Sequence, residues 1–527
     1  MTKFIKYSLI IGVLAFSSCK KYLDVNEPNP NSATFSTPEL VLPQATAYVA
    51  SNFSSFNTYA AQIIGYHVNA GGYGGWGSTF TYEYTTSQYN NLWTNSYDNI
   101  LDLEYVIENT QGEDDMAYFN GVSKILKAYL YQQLVDEYND IPYSEAAKGK
   151  EFVTPRYDSA EDVYRSLADV LDDGINTIKS AQLPTALGTA DVMFDGDMER
   201  WIQLANTIKL RLYVRASETD VFQGQPTFSS EGFLTDDALV NPGYQRLDGK
   251  QNPTWNQYHS DYTASAQIAY GRQWLPSRFA VAFYDGNKIS DDGRGEVTYR
   301  QWPSVPTNFL GNTPTPDNLP TVGGTLGSSP FYIGSTGANG AANTIGTLKG
   351  SGMGQPIMLA AESYFLQAEA ALKGIISGNY TNLFNSGIVA SFRYLYKDVN
   401  GVVAAAYDPV GAAEAYHAEN PNSRLVNINL ATTDAQRLEA IITQKYIAYN
   451  NIGAHVAWAE FRRTGYPAIV TNGSPEQTFV STRTGATTPD RLPGRILYPI
   501  TEFSLNQDNV PSGISVSGSY VFWDRRN

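Results

Sequence analysis

Residues 191–217 read DVMFDGDMERWIQLANTIKLRLYVRAS, and the spacing of their apolar positions decides the fold class. Trp201, Ala205, Ile208 and Leu212 recur at three- and four-residue intervals, which places them on one face of an α-helix. The period returns upstream in Phe119, Val122, Leu126, Tyr129 and Leu134, and again in Val163, Leu167, Val170, Leu171, Ile175 and Ile178. Downstream it marks Ile357, Ala361, Tyr364, Ala368 and Leu372, a run that Gly374 ends, and Leu438, Ile441, Ile442 and Tyr449. Asp158 with Glu161, and Thr433 with Gln436, predict capping boxes at two of the starts. The expected fold is mainly α: tetratricopeptide-like helix pairs forming a scaffold, in which no fixed repeat length is legible.

The pattern collapses between Asp220 and Pro356, where Gly, Pro, Asn, Thr and Ser are interleaved with Trp255, Tyr258, Tyr262, Tyr270, Trp274, Tyr284, Tyr299, Trp302 and Tyr332. A long irregular insertion in a regular body is functional or disordered, and disordered segments are poor in aromatics. This insertion is therefore the expected ligand face. A second Gly-rich stretch, GGYGGWG at 71–77, satisfies GxGxxG at Gly72, Gly74 and Gly77. It follows a segment with Ile63 and Ile64 that reads as helix, whereas a dinucleotide fold needs a buried strand there. Its expected role is to present Tyr73 and Trp76. Tyrosine and tryptophan offer an apolar face with a polar edge, so Tyr73, Trp76, Tyr82, Trp255, Trp274 and Trp302 are the ligand-binding candidates, with Arg272, Arg300 and Asn308 as polar neighbours. Trp93, Trp201 and Trp458 fall within helical patterns and are expected in the core.

At the start of the chain, Lys3 and Lys6 precede the apolar run Tyr7–Phe16, then Ser17, Ser18 and Cys19. The run is too short for the roughly 20 residues of a spanning helix and reads as a signal peptide over 1–18. Cys19, the one cysteine of the chain, is the expected lipid attachment. Residues 19–37 form an Asn/Pro/Ser-rich tether, and 38–527 a single body. No other segment has a spanning length of apolar residues, so lipid is the expected membrane attachment.

The formal charge is −16, and −18 without Lys3 and Lys6, with 34 basic against 52 acidic residues. That balance argues against nucleic-acid partners and against docking on anionic lipid through a basic patch. Four scattered histidines and the lack of HExxH, GxSxG, Walker A or EF-hand spacing predict no metal, cofactor or catalytic triad. The acidic turn sequence DGNKISDDGRG at 285–295 matches no calcium loop and reads as a hairpin. Carboxylate pairs stand at Asp136/Glu137, Asp172/Asp173, Asp236/Asp237 and Asp291/Asp292. A glycosidase needs two carboxyls facing each other across a bond, which adjacency in sequence does not create. His455, in an apolar helical pattern, reads as a packed core histidine.

Several segments together resemble the SusD/RagB family of nutrient-binding outer-membrane lipoproteins, specifically its SusD-like branch. They are CKKYLDVNEPNPN (19–31), DIPYSEAAKG (140–149), PRYDSAEDVY (155–164), residues 191–217, ESYFLQAEAALKG (362–374), ITQKYIAYNNIGAHVAWAEFRRTGYP (442–467), RLPGRILYP (491–499) and FWD (522–524). The resemblance implies a cell-surface protein without catalytic activity that captures glycans or other nutrients and caps a SusC-like TonB-dependent transporter. It identifies scaffold more than ligand site. A surface glycoside hydrolase and a repeat scaffold for protein partners are the competing readings.

Overall fold

The computed structural model describes residues 36–313, 319–331 and 344–526. The signal peptide, Cys19 and most of the tether lie outside the described residues, as does Tyr332. Among the described residues, ten helices have eleven residues or more: α1 Pro38–Ala60, α2 Asn90–Thr110, α3 Ala117–Tyr138, α4 Ala160–Ser180, α5 Met198–Arg215, α6 Ala360–Leu372, α7 Tyr380–Tyr396, α8 Pro409–Glu419, α9 Asp434–Ala448 and α10 Ala454–Thr464. From α1 to α8 each helix packs on the next, α9 packs on α6, and α10 returns to α1. The mainly helical, paired-helix expectation is what the chain forms.

Close approach is built in where side chains are smallest. At the crossing of α3 and α4, a Cβ on Gly121 would lie 2.6 Å from Ile178 Cγ1 and 2.8 Å from the Gly174 carbonyl oxygen. The predicted starts hold with one shift. Thr433 caps α9 by accepting from Gln436 N–H. At α4 the cap is Ser159, accepting from Asp162 N–H, and not Asp158. Asp158 instead accepts from the backbone N–H groups of Tyr143 and Ser144, fixing β3 (Tyr157–Asp158) against β2 (Ile141–Pro142). Ile357 belongs to β6 (Gln355–Met358), the strand entering α6 and pairing with β4 (Ala238–Val240). Trp93, Trp201 and Trp458 are buried.

An ionic network ties the helices internally. Asp136 of α3 pairs with Arg215 of α5, and Glu137 with Arg462 of α10. Arg211 and Lys445 face Glu362, Lys445 also reaches Glu460, and Arg463 bridges Glu369 and Glu460. All ten groups are buried. Burial alone raises the Glu460 carboxyl pKa, but Arg463, Lys445 and Arg215 outweigh it and hold it well below the usual carboxylate range. A buried pair offsets its desolvation only when its geometry is complete, and breaking one side strands a charge.

The insertion is less irregular than its sequence. It contains the short helices Pro253–Tyr258, Ala269–Arg272, Arg278–Val281 and Asp292–Thr298. It also turns Trp255, Trp274, Phe279 and Tyr284 into the same core as the helices.

Candidate functional site

The loop end is organised by a strand pair. β1 (His67–Asn69) runs antiparallel to β5 (Trp274–Pro276), with Asn69 opposite Trp274. The Gly-rich stretch therefore follows a short strand, not the expected helix, yet an antiparallel two-stranded pair remains far from a dinucleotide fold, which needs parallel strands joined through a helix. His67, fully buried, donates from Nε2 to Asn451 Oδ1 at 2.5 Å, and burial pulls its pKa down to about 4. It is a neutral core histidine.

Asn69 is the clamp. Its side-chain amide donates to the Asn312 carbonyl at 2.7 Å, its Oδ1 accepts from Gly311 N–H at 3.2 Å, and its own carbonyl accepts from Asn308 Nδ2 at 2.8 Å. Gly71 N–H donates to the Pro320 carbonyl at 2.9 Å. Any Cβ there would lie 2.9 Å from Leu319 Cβ, so the backbones meet only because Gly71 has none. Gly485 N–H donates to the Thr81 carbonyl at 2.8 Å, and Thr482 N–H to that of Leu310 at 3.0 Å. Stretches of four separate parts of the chain, 69–82, 269–276, 308–313 with 319–324, and 479–485, converge through these bonds.

Trp76 sits on this base. Its ring stacks on Phe80 with centroids 5.4 Å apart and planes 17° apart, and meets the edge of Trp274 at 5.1 Å. Its indole N–H donates back to the Tyr73 carbonyl at 3.2 Å. Tyr73 and Trp76 stay half-buried, while Phe80 and Trp274 beneath them are buried. Tyr270 extends the cluster 5.9 Å beyond Trp274. The exposed Arg483 lies over the Phe80 ring at 5.5 Å and donates to Thr313 Oγ1. Half-buried Arg272 has an Nε without a protein partner. The result is an apolar shelf with the Arg483 guanidinium at its rim, able to stack against the C–H face of a ring and donate to its oxygens.

The other residues singled out in the sequence lie elsewhere. Tyr82 is buried, its hydroxyl accepting from Ser481 N–H at 3.2 Å. Trp255 is wholly buried against the His259 ring at 3.9 Å. Asn308 is buried as part of the Asn69 clamp. These three and Trp274 turn inward, so their contribution is to shape loops and not to offer a face. Chain without helical periodicity still has to fill its underside, and the largest apolar side chains do so. Trp302 joins a different cluster, stacked at 6.4 Å on Tyr299 with its indole N–H on Asp292 at 3.0 Å. Arg300 is exposed, held by its backbone N–H to the Pro330 carbonyl at 2.9 Å. Phe80, Tyr270 and Arg483 are the members of the shelf not singled out. Arg483 carries no sequence signal, because it arrives from a segment about 400 residues away.

Each carboxylate pair is engaged in structure. Beyond Asp136 and Glu137, Asp172 pairs with Lys209, Asp173 with Lys124, and Asp236 and Asp237 with Lys397. Asp291 pairs with Arg294 at 2.6 Å and Asp292 accepts from Trp302. In the 285–295 turn, Gly286 N–H closes on the Ile289 carbonyl at 3.0 Å. Among the described residues no group of three or more His, Cys, Asp or Glu side chains is placed to hold a metal ion. His455 packs edge-on against Phe53 at 4.6 Å in the core.

Two family models match the chain: "Starch-binding associating with outer membrane", SusD-like, over residues 30–268, and "Susd and RagB outer membrane lipoprotein" over 348–520. The chain belongs to the SusD/RagB family. Solved structures of family members share its fold. A chitin-binding protein aligns at TM-score 0.65 and 22% identity, covering 92% of this chain and 99% of its own. A SusD homolog from Bacteroides uniformis aligns at 0.62 and 22%, covering 92% and 99%. A chitin-binding SusD homolog from Flavobacterium johnsoniae aligns at 0.63 and 21%, covering 92% and 98%. No curated protein sequence matches the chain. No helix among the described residues is long and apolar enough to cross a membrane.

Proposed function

We propose that this SusD/RagB protein is a surface nutrient-binding lipoprotein: lipid on Cys19 holds it to the outer membrane, a glycan is held on the Trp76 shelf, and the ligand passes to a SusC-like TonB-dependent transporter. Its role is capture without catalysis, consistent with carboxylate pairs that are bonded within the scaffold. The observation that carries the reading is Trp76, half-buried on Phe80 and Trp274 where four stretches of chain meet. The family models' descriptions and the chitin-binding relatives support a glycan as ligand and the outer membrane as location.

Calorimetry over a panel of oligosaccharides, chitin fragments included, tests it. A ligand is expected whose affinity falls at least tenfold in Trp76→Ala, about 1.4 kcal/mol. A panel without heats would reject the glycan. Gentle detergent extraction is expected to recover a large β-barrel partner, and a fatty-acid label is expected to disappear in Cys19→Ala.

A further inference from the structure

A second concavity lies on another side of the loop region. Its floor is the outward face of α1, with Tyr48, Ser51, Ser55 and Thr58; its walls are Tyr89 and Asn91 at the start of α2, and Tyr244, Gln251, Asn256 and Gln257 from the insertion. It encloses about 510 Å³, within the range of small-molecule sites. Not one charged side chain lines it, although 17% of the chain is charged and the net charge is −16. Hydroxyls, carboxamides and tyrosine rings take their place.

Those groups are arranged, and not merely neutral. Gln251, buried, donates from Nε2 to Asn256 Oδ1 and to the Ser260 carbonyl, each at 2.9 Å. That fixes its amide and leaves its Oε1 buried with no partner. The same bond occupies Asn256 Oδ1, so the exposed Asn256 keeps its Nδ2 as a donor. A free amide donor among serine, threonine and tyrosine hydroxyls is what a sugar hydroxyl satisfies, since it accepts and also donates once. Tyr48, 49% exposed, adds a ring at the rim. An ionised ligand here would lose hydration without finding a counter-charge.

We propose that this cleft is a second binding site, distinct from the Trp76 shelf, and that it takes a short uncharged oligosaccharide. Thr58 on its floor meets the Tyr258 hydroxyl at 3.3 Å, and the Tyr258 ring lies 5.7 Å from that of Tyr270 at the end of the shelf, so the two sites adjoin.

The test uses the full chain in detergent with Trp76→Ala in place, so that the shelf is disabled. Neutral tetrasaccharides of glucose, N-acetylglucosamine and xylose, and an oligogalacturonate of equal length, are titrated in turn. The expected result is saturable binding of at least one neutral sugar, weakened at least tenfold by Asn256→Asp, which retains the oxygen Gln251 bonds but adds a charge, and by Tyr48→Ala. The oligogalacturonate is expected not to bind. Binding indifferent to both substitutions, equal binding of the acidic sugar, or no binding of any neutral sugar would each overturn the proposal. The shelf reading fails on a separate result, namely Trp76→Ala titrating like the parent chain.

Discussion

The ionic centre of the helical scaffold and the Trp76 shelf use the same kinds of side chain under opposite rules. In the centre, Arg211, Arg215, Arg462 and Arg463 are buried and each faces a carboxylate. At the shelf, Arg483 is exposed and Trp76 is half-covered. A charge closed inside the scaffold is out of a ligand's reach, and a ring that is fully packed has no face to give. The contrast teaches that binding capacity here is read from what stays uncovered and not from residue type.

Substitutions separate the two regions most sharply at Glu460. Glu460→Gln removes the carboxylate shared by Arg463, Lys445 and Arg215 and leaves the buried cluster one negative charge short, although Glu369, Glu362 and Asp136 still face these cations, so denaturant unfolding is expected to show a loss of about 3–5 kcal/mol, with the affinity of the folded fraction unchanged. Acid should act on the buried interior next. His67 is neutral when folded, with a pKa of about 4, against 6.5 unfolded. The unfolded state therefore takes up the proton first, and stability is expected to fall as pH drops from 6.5 to 4, by up to about 3 kcal/mol for this residue. Comparing melting temperatures across that range for His67→Gln and the parent isolates the effect. Gly121→Ala, which drives a methyl into Ile178 and the Gly174 carbonyl, is expected to cost about 1–3 kcal/mol in the same denaturant assay. Removing the Ser159 cap by Ser159→Ala should cost about 1 kcal/mol. Smallest on this scale is Trp76→Ala: it is expected to move stability by less than about 1 kcal/mol while abolishing most ligand affinity. A large loss of stability there would erase the distinction between the regions.

The helices α3 to α6 and α9 were legible because apolar side chains recur in them at three- and four-residue spacing. α1 was not. Its sequence PELVLPQATAYVASNFSSFNTYA buries Asn52, Ser54 and Asn57 beside Phe53 and Phe56, and Asn57 is inside because its Oδ1 accepts from Ala454 N–H at the start of α10. A polar residue kept inside by a distant backbone leaves no periodic trace. The same holds at the loop end. Tyr73 and Trp76 could be picked out by their glycines, whereas Trp255 and Trp302, with equal claim in the sequence, became core and a separate cluster. Nothing local distinguishes an aromatic that will be covered from one that will not, because the covering chain comes from elsewhere. Asn69 draws together residues more than 200 positions apart.

The ionic centre has one further effect, on the world outside the molecule. Its five cations, Arg211, Arg215, Lys445, Arg462 and Arg463, balance its five anions, Asp136, Glu137, Glu362, Glu369 and Glu460. The whole excess of −16 is therefore carried by the remaining residues. Neighbouring copies meet as bodies of like sign and repel, which favours colloidal dispersion over clumping. That repulsion weakens as the ionic strength of the medium rises, so crowding of this protein is set partly by the salt around it.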